Sequence, residues 1–123
     1  MAEKDEVCTT GPQLIFPCSG AADVGAIADQ AARKLTRDGG GKMFCTAGLG
    51  GKVEPILKAT RSASRIVALD GCSLDCVKLS LEEAGFSDYV QVRLTDLGME
   101  KGKTPVTEEN IAKAVGFVQE KLH

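Results

Sequence analysis

A chain of 123 residues with 43% hydrophobic and 26% charged content carries enough apolar material to bury a core without staples. Its net charge of -2 and pI near 5.4 offer no basic face for nucleic acid, and no apolar run approaches the ~20 residues of a membrane span. The charged start Met1-Ala2-Glu3-Lys4-Asp5-Glu6 lacks the apolar stretch of a secretory signal, so the expected location is the cytoplasm. Five cysteines in that reducing compartment are thiols, ligands or redox centres rather than a disulfide framework.

Residues 1 to 11 read as a polar, flexible arm carrying Cys8, followed by one α/β domain over residues 12 to 123. Gln13-Leu14-Ile15-Phe16 is a short strand, and Pro17-Cys18-Ser19-Gly20 turns it into a helix whose core face is Val24, Ile27, Ala28, Ala31 and Leu35. That helix stops at Gly39-Gly40-Gly41. A second strand, Lys42 to Thr46, places Cys45 near its end and runs into the glycine-rich loop Ala47 to Lys52. A short helix from Pro55 to Ser62 uses proline at its first position. The third strand, Arg65 to Leu69, carries the apolar run Ile66-Val67-Ala68-Leu69, as suits burial on both faces.

After it comes Asp70-Gly71-Cys72-Ser73-Leu74-Asp75-Cys76, two thiols and two carboxylates at a strand-to-helix junction. Leu74, Val77, Leu81 and Ala84 then recur at helical spacing until Gly85. If the first turn is helical, Cys72 and Cys76 share a face and grip one ion. Tyr89 to Leu94 alternates apolar Val90, Val92 and Leu94 with polar Gln91 and Arg93, the pattern of an edge strand. A loop from Thr95 to Pro105 leads to a last helix with Thr107 as N-cap and Ile111, Val115, Val118 and Leu122 facing inward.

Four alternations of strand and helix with short connections predict a three-layer open parallel sheet with helices on both faces, Rossmann- or flavodoxin-like, in strand order 2-1-3-4. The chain reverses its direction of progress between strands one and three, and such switch points bind ligands outside the carboxyl ends of the strands. Cys18 follows strand one, Cys45 ends strand two, and Cys72 and Cys76 follow strand three, so all four thiols converge on that edge. Four thiolates about 2.3 Å from an ion make a tetrahedral zinc site, and the same set suits an iron-sulfur centre. The bland alternative is that Cys45 is a small buried apolar residue and that Cys72 and Cys76 are incidental.

The segments Leu14 to Gly20, Gly41 to Cys45 with Ala47 to Gly51, Asp70 to Cys76, and Thr95-Asp96-Leu97-Gly98 resemble the small DGC-domain proteins, named for a central Asp-Gly-Cys motif. The resemblance covers about residues 13 to 100. It implies a zinc-binding domain that uses four cysteines, mapping onto Cys18, Cys45, Cys72 and Cys76, and it implies little about activity. Cys8 lies outside the matched segments and takes no ligand role.

Other readings compete. Gly48, Gly50 and Gly51 before Lys52 lack the GxxxxGK[ST] of a phosphate loop and suit a tight turn at positive φ. Cys18 entering a helix is the nucleophile position of a thiol enzyme, with Cys72 or Cys76 as the resolving thiol; no arginine between Cys18 and Arg33 is present to grip a phosphate. Asp70 either serves acid/base chemistry or caps the next turn, Asp75 is a first-turn helix carboxylate, and Asp23 and Asp96 are solvated. His123, the only histidine, sits at a terminus and is poorly placed as a ligand. Lys52 and Lys103 are the cations available to offset the charge of a four-thiolate site. The expected role is metal or redox sensing, or recruitment of a protein partner.

Overall fold

Leu14 and Phe16 alternate with Ile15 along the first strand, and this alternation divides the core. In a computed structural model that describes residues 11–122, Leu14 and Phe16 enter one apolar layer while Ile15 enters another on the opposite face of the sheet. The sheet contains β1 (Gly11–Pro17), β2 (Lys42–Met43), β3 (Ala63–Asp70) and β4 (Val90–Arg93), all parallel and in the order β2-β1-β3-β4. The expected order, the edge position of β4 and the three-layer architecture are therefore present.

On one face lie α1 (Asp23–Arg37) and α5 (Glu108–Lys121), burying Val24, Ile27, Ala28, Leu35, Ala114, Val115 and Val118 against Ile15, Val67, Leu69 and Val92. On the other lie α2 (Thr46–Gly50), α3 (Glu54–Arg61) and α4 (Cys76–Glu83), whose Leu49, Leu57, Val77 and Leu81 cover Leu14, Phe16, Ile66 and Ala68. Each Val, Leu, Ile or Phe among them, where fully buried, contributes ~1.5–3 kcal/mol, and the alanines less. Thr107 caps α5 as expected, accepting from the Asn110 amide at 3.1 Å. No helix among the described residues is long and apolar enough to cross a membrane.

Several boundaries differ from the sequence expectations. β1 begins at Gly11 rather than Gln13, whose register partner is Arg65, and the expected arm otherwise falls outside the described residues, as do Cys8 and His123. β2 stops at Met43, although the Phe44 amide still reaches the Ile15 carbonyl at 2.8 Å. The stretch expected as a loop is instead the five-residue α2, entered from an extended Cys45. Gly48, Gly50 and Gly51 do not serve a positive-φ turn; the residue with φ of +54° there is Lys52. Gly48 answers a packing need, because a Cβ on it would lie 2.6 Å from the Ile56 side chain.

Candidate functional site

The carboxyl ends of β1, β2 and β3 lie side by side, and their outgoing loops carry the four cysteines. Cys18 is held at the base of its loop: its amide donates to the Leu69 carbonyl at 3.0 Å, extending the β1–β3 ladder by one residue, and its half-buried side chain packs against both core layers. Helix α1 begins only at Asp23, so Cys18 does not enter a helix directly, and the helix-dipole basis for reading it as a nucleophile is absent. Ser19 adopts φ of +52° and donates its hydroxyl to Asp29 at 2.8 Å.

Cys45 is exposed, which overturns the reading of it as a buried apolar residue. Thr46 beside it donates its hydroxyl to the Pro17 carbonyl at 2.8 Å and so ties the end of β2 to that of β1. Cys18, Cys45, Phe44 and Thr46 line one groove of about 830 Å³ together with Arg33 and Lys42.

The junction after β3 is the most constrained part of the edge. Gly71 faces the start of α1, where a Cβ would lie 2.9 Å from the Val24 carbonyl carbon and oxygen. Its lack of a side chain lets strand and helix approach there. Asp70, fully buried, accepts from the amides of Val77 at 2.7 Å and Lys78 at 3.3 Å, which satisfies the free donors at the start of α4. Of the roles the sequence left open for Asp70, these bonds are those of a cap on the following helix.

Asp75 is not a first-turn carboxylate. It precedes α4 in the left-handed region, φ +58°, a conformation that aspartate tolerates better than most residues. Its carboxylate receives two bonds from Arg93, at 2.9 and 3.0 Å, and one from Gln91 at 3.0 Å. Gln91 also donates to Asp70 at 3.2 Å. The turn therefore breaks before Cys76, and the two thiols do not sit one helical turn apart; Leu74, expected inside, is 62% exposed.

The roles of Gln91 and Arg93 were missed because the alternation of β4 was read only as an exposed face. The available signal was two long polar side chains two apart on a strand, hence on one face, beside a carboxylate-rich turn. Asp23 was missed likewise: it accepts from the Gly102 amide at 2.9 Å and the Thr104 amide at 3.0 Å, holding the 98–105 segment against α1. These bonds hold its carboxyl below the usual range. That segment and the Cys72 turn line a second cavity of about 600 Å³. A cavity of about 500 Å³ lined by Arg65, Phe86 and Tyr89 lies at the opposite end of the sheet and holds none of the cysteines.

Cys72 is half-buried and Cys76 exposed. Partial desolvation pushes the Cys76 thiol up, with charge on Cys18, Asp70 and Cys72 adding to the rise and Lys101 opposing it. Lys52 and Lys103 are engaged in surface pairs with Glu83 and Glu100. Among the described residues no three His, Cys, Asp or Glu side chains stand together as a metal-holding group. The thiols on this edge are soft donors, the kind that suits a thiophilic ion.

Fold and edge together define a three-layer α/β protein with a cysteine-bearing switch point. The chain belongs to the DGC domain family, whose pattern it matches over residues 14–118. It is 36% identical over 88 residues to the anaerobic and virulence modulator AnvM of Pseudomonas aeruginosa, an alignment spanning 72% of this chain and 67% of that protein. No solved structure matches the chain.

Proposed function

We propose that this chain is a zinc-binding regulatory protein whose Cys18, Cys45, Cys72 and Cys76 form a metal- and redox-responsive site that governs engagement of a protein partner. The observation that supports the reading is the placement of these residues at the ends of three adjacent strands, with two thiols half-buried and two exposed. Zinc closed by four thiolates supplies electrostatic cross-linking of loops and no open position for an activated water, so sensing fits better than hydrolysis. The modulator role in the name of the Pseudomonas relative agrees with this assignment.

Elemental analysis of the purified protein tests it. The expected content is about one zinc per chain, and visible absorption separates zinc from an iron-sulfur centre. Cys45→Ser lowers metal content sharply while Cys8→Ser leaves it unchanged. Equal loss from both variants, or loss from neither, overturns the assignment.

A further inference from the structure

The groove between the ends of β1 and β2 combines four properties. It is large, about 830 Å³, and it presents an exposed thiol, Cys45, with a second thiol, Cys18, in its wall. Its charge is set by two cations, Arg33 and Lys42, against one carboxylate, Asp29. Arg33 donates its Nε to Asp29, and among the described residues Lys42 has no carboxylate partner, so the groove keeps one cation in excess. The Phe44 ring, set edge-on to Phe16 at 5.8 Å between centroids, adds an apolar wall. A pocket with apolar lining, a few directed polar groups and a reactive atom within it is the usual form of a small-molecule site.

We infer that this groove admits a low-molecular-weight anionic disulfide, of peptide size and bearing free carboxylates, and that Cys45 forms a mixed disulfide with it. The Cys45 thiolate attacks one sulfur of the disulfide; the new bond joins Cys45 to that sulfur as the original S–S bond breaks. The departing sulfur leaves as a thiolate and takes up the proton that Cys45 lost. Cys45 is oxidised and the leaving thiol reduced, a two-electron exchange that needs no other oxidant. Arg33 and Lys42 attract the carboxylates and orient the disulfide before attack. This deepens the four-cysteine reading, on which its regulatory meaning rests: a blocked Cys45 is lost from the ligand set.

Oxidised glutathione, an anionic tripeptide disulfide, and cystamine, a cationic one, test the inference on the full chain. Peptide mapping by mass spectrometry should find the glutathione adduct on Cys45 ahead of Cys76, the other exposed thiol among the described residues. Lys42→Glu should slow the glutathione reaction at Cys45 by about fivefold or more and speed the cystamine reaction, since reversing a nearby charge shifts a screened interaction by about 1 kcal/mol. Arg33→Gln should act in the same direction and guards against a misfolded Lys42 variant. Equal labelling of Cys45 and Cys76, or equal effects on both reagents, overturns the inference. Metal release is read separately with a chromogenic chelator. Charge-selective labelling of Cys45 without metal release removes Cys45 from the ligand set and leaves the disulfide site standing; metal binding without selective labelling does the reverse.

Discussion

The Asp75–Arg93 pair ties the Cys72–Cys76 turn to the edge strand, and breaking it should cost more than an ordinary surface ion pair. The two side chains are 18% and 28% exposed, and Arg93 donates through Nε and Nη2 to both carboxylate oxygens. Exposed pairs contribute ~0–1 kcal/mol, whereas removing one partner of a buried pair costs ~3–5 kcal/mol. A half-buried bidentate pair that retains a Gln91 contact lies between, so Arg93→Met should destabilise by about 1–2 kcal/mol. Unfolding the described residues 11–122 at roughly 2.1 cal/mol/K each gives an entropy of about 0.24 kcal/mol/K, so Tm should fall by about 4–8 °C. Asp75→Asn is the matching partner because asparagine keeps tolerance for the left-handed backbone. A double-mutant cycle by calorimetry should return a coupling of about 1 kcal/mol. A coupling below about 0.3 kcal/mol would refute the reasoning and reduce the pair to a solvated contact.

Gly71→Ala should lower the urea midpoint at unchanged m-value by an amount worth about 1–3 kcal/mol, because its Cβ meets backbone of α1 that cannot rotate away; a loss under about 0.5 kcal/mol would mean the helix yields freely. Asp23 has its carboxyl lowered by the Gly102 and Thr104 amides, so its contribution is present above the unfolded value near 3.9 and is lost as pH falls through the lower folded value. Asp23→Asn should therefore melt below wild type at neutral pH, with the gap closing in acid; a gap that persists in strong acid would point to a different role. Tyr89 donates to Glu82, which raises its phenol to about 12. Phenolate absorbance should titrate near that value and move toward about 10 in Glu82→Gln, and stability from this bond should fade between those two pH values; an unchanged titration in the variant would show that Glu82 is not the cause.

The sheet order was legible because strands and helices alternate along this chain with short connections, which leaves few topologies once crossovers are right-handed. The core face of α1 was legible for the same reason: Val24, Ile27, Ala28, Ala31 and Leu35 repeat at helical spacing with no competing signal. Where the reading failed, a tertiary contact outweighed a local one. Leu74 looked like the first apolar residue of α4, yet Asp75 breaks the helical path because its carboxylate is pinned by Arg93. The glycines after Cys45 looked like a loop, yet Gly48 permits a short helix to lie against Ile56. Asp23 carried no sequence signal toward Gly102 and Thr104, some eighty positions away.

The placement of the thiols bears on how such a site can report its state. Both apolar layers close on the faces of the sheet, well within the elements, and the start of α4 is satisfied by Asp70 rather than by any sulfur. Chelation should therefore leave the sheet and helices in place, unlike a zinc finger, in which the ion supplies the folding energy. The four positions also differ in kind. Cys18 and Cys72 are half-buried and pack against the core, Cys18 with its amide on the β1–β3 ladder, which makes them the more fixed pair. Cys45 and Cys76 are exposed, one entering α2 and the other opening α4. Under the proposed function, loss of metal is then felt at the exposed pair and the short helices they begin, on a single face of an otherwise unchanged fold. A partner that reads that face can distinguish the two states without any unfolding of the domain beneath it.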